Sequence, residues 1–310
     1  MTPGVVWTDV GPRDGLQNIA TTVPTPVKVR LVRGLLAAGA PRVEATSFVS
    51  PKWVPQLADA ADVLAGLDSS AMGRIRVLIP NLRGLELALE HGVTNVLVTV
   101  AATDSFNRRN VNRSVAESIA GVAEIVERAG ASCTVDVAVS VAFGCPFEGW
   151  VDPRRVVDIC RELVRLGVVE VGIADTIGVA DPGQVRDLVM RAAAVVPEQR
   201  LSLHVHDTRG MGVANVIAAF DAGVRRFEGS VGGLGGCPFA PRSTGNVCSE
   251  DALHALERIG ASTGVDIDAY CAVAVRLADD LQLTLPGKLH RAGVWHPENA
   301  PAHEPEGAPA

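Results

Sequence analysis

Eight short runs rich in β-branched residues recur along the chain, and stretches of helical character separate them. The runs are Val5–Val10, Arg42–Phe48, Ile75–Ile79, Asn95–Ala101, Cys133–Ala142, Val168–Ile173, Leu201–His206 and Arg225–Val231. Pro26–Ala38 ends at Gly39, a natural stop for a helix. Asn81–Glu90 and Val115–Ala129 space their apolar residues at i, i+3, i+4 and are followed by Gly92 and Gly130. Asp152-Pro153 and Asp181-Pro182 each set a capping side chain before a proline suited to a first helical turn. Ser249–Ile259 and Asp268–Leu281 continue the pattern. Strand–helix alternation predicts parallel strands joined by right-handed crossovers. Eight such units close a (β/α)8 TIM barrel, here with a short C-terminal helical extension. An open doubly wound sheet is the alternative, but the G-x-G-x-x-G that usually follows its first strand is missing. The barrel domain is expected over residues 1–290. The Pro/Ala/Glu-rich residues 291–310 are expected to form a disordered tail.

Composition removes several function classes. The formal charge of the 310 residues is -7, with no Lys/Arg run, so no nucleic-acid or anionic-membrane partner is expected. No apolar run reaches the roughly 18 residues of a membrane helix. The N-terminus lacks the basic and apolar regions of a signal peptide. Six widely spaced cysteines without a C-x-x-C pair fit free thiols in a reducing compartment, so a cytoplasmic location is expected. Only Lys28, Lys52 and Lys288 are lysines, and none lies in a strand run. That argues against a Schiff-base aldolase, which needs a buried strand lysine.

A barrel places its active site at the C-terminal ends of its strands. Those ends offer Arg13, Asp14 and Gln17 after the first run; Glu44, Thr46 and Ser47 on the second; Asp175 and Thr176 after the sixth; His204 and His206 on the seventh; Cys237 and Asn246 after the eighth. His204 and His206, two apart on a strand, share a face and so can ligate one divalent ion. An isolated H-x-H is as readily a pair of core or surface histidines, and the barrel position tilts the reading toward metal. Asp14 and Asn246 could complete the set. Nitrogen and oxygen donors with open positions suit Mg²⁺ or Mn²⁺ better than a closed zinc site. Arg13 reads as an ordinary ion pair with Asp14 or as an electrophile near the metal, with Glu44 as its support. Cys237 sits among Gly232, Gly233, Gly235 and Gly236. It is either inert or a thiol on a mobile loop able to act as an acid. The remaining histidines, His290 among them, read as surface.

The segments VGPRDGLQN, SFVSPKWVPQ, GCPFEG, ADTIGV, HVHDT and GGLGGCPFAPRSTGN, in this order, resemble the 3-hydroxy-3-methylglutaryl-CoA lyase family, within the metal-dependent barrel lyases and Claisen-condensing enzymes. The resemblance covers about residues 5–290. It implies a divalent cation, an acyl-CoA substrate, a homo-oligomer (dimer or tetramer) and a place in leucine degradation. It puts Asp14, His204, His206 and Asn246 on the metal and makes Arg13 the enolate stabiliser, supported by Glu44. Cys237 becomes the loop acid, with Gln17, Ser47 and Thr176 near substrate. The chain departs from the family after His-Asp-Thr, where Arg209, Gly210 and Met211 replace Tyr-Gly-Gln. Arg209 adds a cation near the histidines, and so points to a modified acyl group such as that of citramalyl-CoA. Lys52 reads as a CoA phosphate contact or as surface. A condensing synthase and a non-catalytic acyl-CoA-binding barrel are the other readings.

Overall fold

A computed structural model of the chain describes residues 4–236 and 245–296. Eight parallel strands form a closed barrel in chain order: β1 (Val6–Asp9), β2 (Arg42–Ser47), β3 (Ile75–Leu78), β4 (Asn95–Ala101), β5 (Thr134–Ser140), β6 (Glu170–Asp175), β7 (Leu201–Val205) and β8 (Arg226–Gly229), with β8 pairing back to β1. The expected barrel is therefore present, and the strand bounds agree with the sequence runs to within two residues at each end.

The helices form where local chemistry directs them. Val115–Ala129 starts from a capping box, in which the Ser114 hydroxyl accepts the Glu117 N–H and Glu117 returns to the Ser114 N–H. Asp181 and Gln184 make the same exchange at the start of Pro182–Ala193. Asp152 caps Pro153–Arg165. Ile267–Leu281 supplies the C-terminal extension, and the short helix Leu289–Ala292 runs across residue 290. Residues 297–310 of the expected tail lie outside the described residues. The helix Asp104–Val111 has no counterpart in the sequence reading. It buries only Phe106 and Asn107, so no apolar stripe announces it.

The strands alternate in chemistry. Val43, Ile75, Val77, Val135, Val137, Val171, Ile173, Leu203 and Phe227 are fully buried with the helical residues Leu35, Leu85, Val122 and Leu163 in one apolar shell. The intervening positions carry Arg42, Glu44, Arg76, Asp136, Glu170, His204, Arg226 and Glu228. These side chains meet one another across the barrel, so they fill its interior. At the N-terminal end Arg42 donates to Thr8, to Asp136 at 2.9 Å and to both oxygens of Glu170, which also accepts from Arg226 at 2.5 Å. This ion-paired floor replaces the usual layers of branched aliphatic side chains.

Candidate active site and metal centre

The first strand ends in a single π turn, Gly11–Gly15, the kind of irregular turn that concentrates at functional sites. The turn places the consecutive residues Arg13 and Asp14 side by side, both buried. Its entry is fixed by Asp9, which accepts the Gly11 N–H at 2.8 Å and hydroxyls from Ser249 and Tyr270 at 2.6 Å each. Burial pushes the Asp9 carboxyl up to about 6 despite these bonds. A Cβ on Gly11 would lie 2.8 Å from Asp9 Oδ1, and one on Gly15 would lie 2.9 Å from Ser230 Oγ. Neither position admits a side chain without movement.

Asp14, His204 and His206 each offer a ligand atom, and these atoms lie within 4.8 Å of one another. Asn246 is brought to them by a short strand-like pairing with His206, and its Nδ2 donates to Asp14 Oδ2 at 2.9 Å. Gln17 and Arg13 donate to Asp14 Oδ1 at 2.8 and 2.5 Å. Burial opposes charge on Asp14. Arg13 first, then the two histidines and Asn246, nevertheless hold its carboxyl below the usual range. Burial and the neighbouring His204 push His206 down to about 4, so at neutral pH its ring is an uncharged donor. Burial alone would lower His204 too, but its bond to Glu228 raises it.

The donor set fits a divalent cation on an observation independent of spacing. His206 Nδ1 and Asn246 Oδ1 are buried and have no hydrogen-bond partner among the described residues. Buried polar atoms left so are costly, and a cation satisfies a nitrogen lone pair and an amide oxygen together. His204 uses Nδ1 for Glu228 at 3.1 Å, the second contact that ligating histidines ordinarily make, and keeps Nε2 for an ion.

Arg13 is held from a second side. Its Nε donates to Glu44 Oε1, as the sequence predicts. The other Glu44 oxygen accepts from Arg76 at 2.7 Å, and Arg76 Nη2 reaches Glu228 at 2.5 Å. Glu228 completes the path to His204. Arg76 and Glu228 are absent from the sequence-derived site. The readable signal was their inward parity: Arg76 pairs in register with Glu44, and Glu228 with His204.

The other candidate residues fall around this centre. Strand β2 carries a bulge between Glu44 and Thr46, so Ser47, not Thr46, follows Glu44 on the interior face opposite Leu78. Its hydroxyl is buried and unpartnered among the described residues. The Thr176 hydroxyl accepts the N–H of Val141 at 2.8 Å, and Val141 holds φ 51°, a strained value for a β-branched residue. Arg209 donates to the carbonyls of Ile177 and Gly178, which ties the loop after β7 to the loop after β6. Lys52 is exposed. Cys237 lies outside the described residues. Cys133, Cys145, Cys160, Cys248 and Cys271 are buried free thiols. His290, expected at the surface, is instead packed inside: its side chain is 4% exposed and paired with Glu250, which in turn accepts the Gly232 N–H at the root of the glycine loop. Its place on a short terminal helix hid this contact, which comes from 40 residues away in sequence.

Comparison with known proteins is consistent with this geometry. The family model described as HMGL-like matches residues 4–276. The mitochondrial hydroxymethylglutaryl-CoA lyase of Mus musculus is 45% identical over 260 residues, 84% of this chain and 80% of that protein. The (R)-citramalyl-CoA lyase of Chloroflexus aurantiacus is 40% identical over 307 residues, 95% of this chain and 96% of that protein. The solved structure of an HMG-CoA lyase from Acinetobacter baumannii, in complex with coenzyme A and 3-methylmalate, superposes with a TM-score of 0.89 at 40% identity, covering 93% of this chain and 95% of that one.

Proposed function

The chain belongs to the HMGL-like family, and we propose that it is a divalent-metal-dependent carbon–carbon lyase cleaving 3-hydroxy-3-methylglutaryl-CoA to acetyl-CoA and acetoacetate. The observation that carries this reading is the convergence of Arg13 with the Asp14, His204 and His206 donors at one end of a closed barrel. Asp14, His204, His206 and Asn246 would hold Mg²⁺ or Mn²⁺, which acidifies a hydroxyl bound to it.

The chain's own groups do the rest. Asp14 or a ligand histidine accepts the C3 hydroxyl proton. The oxygen's electrons form the ketone of acetoacetate as the C2–C3 bond breaks, and that bond's electron pair passes to the thioester as an enolate. Arg13 commits Nε to Glu44 and Nη1 to Asp14, which leaves Nη2 for the thioester oxygen where the charge develops. A fixed donor of this kind contributes on the order of 10²–10³ in rate. Cys237 then supplies the proton that converts the enolate to acetyl-CoA. Ser47 and Gln17 border the acyl group. Thr176 acts through the Val141 backbone, and Arg209 through the loop it braces.

The similarity to (R)-citramalyl-CoA lyase supports a second substrate reading with the same bond broken. Acetyl-CoA release from 3-hydroxy-3-methylglutaryl-CoA and from citramalyl-CoA, each with Mg²⁺ or Mn²⁺, separates the two. Cleavage of the first is expected. Turnover of citramalyl-CoA alone overturns that assignment, and turnover of neither overturns the lyase reading.

A further inference from the structure

We propose that Arg76 is a positioning residue that locks the two halves of the site, Arg13 and His204, into one mutual orientation. The inference rests on the roles given above to those two residues, and it concerns a side chain that touches neither substrate nor metal.

Arg76 is fully buried inside the barrel. It bonds two carboxylates, and each divides its oxygens between Arg76 and a site residue. Glu44 gives Oε2 to Arg76 and Oε1 to Arg13. Glu228 gives Oε1 to Arg76 and Oε2 to His204. The result is one continuous path, Arg13–Glu44–Arg76–Glu228–His204, in which opposite charges alternate up to the imidazole. A rotamer change at either carboxylate would break a bond at both its ends.

The guanidinium suits this task because it is planar and donates in fixed directions, so one group sets the angle between two acceptors. A lysine ammonium carries the same charge without that fork. Structural plugging of the barrel floor does not account for Arg76. Asp136 and Glu170 are already bonded by Arg42 and Arg226, and Arg76 stands 3.9 Å from each. Its short bonds all run toward the site. Without it, Glu44 and Glu228 would be two buried like charges held only by Arg13 and His204, the very groups they orient, and the two ends of the site would no longer be tied to each other.

The test is Arg76→Lys in the full chain, compared with the wild type. Mn²⁺ binding is measured without substrate, by electron paramagnetic resonance of the free ion. Cleavage of 3-hydroxy-3-methylglutaryl-CoA, or of whichever acyl-CoA the wild type turns over, is measured alongside. The expected result is Mn²⁺ affinity weakened about tenfold and kcat lowered roughly 10- to 100-fold, with KM within about threefold. A merely structural role would lower the melting temperature and the folded fraction while leaving Mn²⁺ affinity and kcat per folded molecule within twofold; that result overturns the proposal. If Arg76→Lys does not fold, Glu44→Gln and Glu228→Gln, singly and together, decide it. A combined loss in kcat close to the larger single loss supports a shared link, whereas losses that multiply independently refute it. A wild type that neither binds Mn²⁺ nor cleaves any acyl-CoA defeats the functional reading itself, before Arg76 is put to the test.

Discussion

The two faces of the barrel sheet are built from opposite materials. The outer face is chiefly Val, Ile, Leu and Phe against apolar helix stripes. The inner face is arginine, glutamate, aspartate and histidine, bonded across the barrel from floor to mouth. An apolar shell is tolerant, because burial has no direction and its strength scales with area. An ion-paired interior demands particular geometry and contributes little net stability, since desolvation offsets much of the Coulombic gain. The outer face therefore holds the fold, while the inner face fixes the angles of a few side chains.

Substitutions can break or sharpen this contrast. Arg13→Met should lower kcat by at least roughly 10³-fold with the chain still folded, because it removes charge stabilisation and leaves the shell untouched; the melting temperature falls only to the extent that Glu44 and Asp14 lose a buried partner. Steady-state kinetics beside circular dichroism checks this, and loss of the folded state would mean that the inner face also carries the fold. Leu163→Ala, in the helix layer packed against the outer face, should behave in reverse. Deleting a fully buried leucine costs about 2–5 kcal/mol of stability, with kcat per folded molecule retained, as urea titration with active-site quantification can show. Asp9 stands where the two materials meet, at the base of the π turn. Its folded carboxyl titrates near 6, above the ordinary value near 3.8, so its ionised form opposes folding. That cost is absent below the unfolded value, grows as pH rises through about 6, and is complete at pH 7 and above. Relative to Asp9→Asn, the wild type should gain on the order of 3 kcal/mol as pH falls from 7.5 to 4. Parallel urea melts at those pH values measure it, and parallel curves for the two proteins would contradict the assignment.

Much of this was readable in the chain. The eight runs counted correctly because each strand's outer residues are β-branched and each intervening helix carries its own stripe or cap, as at Ser114 and Asp181. Asp14, His204 and His206 were readable because strand-end position and the two-residue step are local signals. Asn246 was readable as a candidate from its place after the eighth run, and the resemblance put it on the metal; the bridge between loops that brings it to His206 was not readable. Arg76 and Glu228 escaped notice for a different reason. Arg76 looks like one polar residue in an apolar run and Glu228 like one more charge in Arg-Arg-Phe-Glu, and the meaning appears only when inward positions of non-adjacent strands are superposed. His290 was misjudged because its partner, Glu250, sits on another helix.

The bulge at Ala45 makes the site depend on a count of residues as well as on their identity. One surplus peptide unit in β2 decides which hydroxyl faces the reaction chamber: the same residues paired one for one, without the bulge, would present Thr46 inside and turn Ser47 to the back of the wall. A screen that only exchanges one amino acid for another would never reveal that dependence.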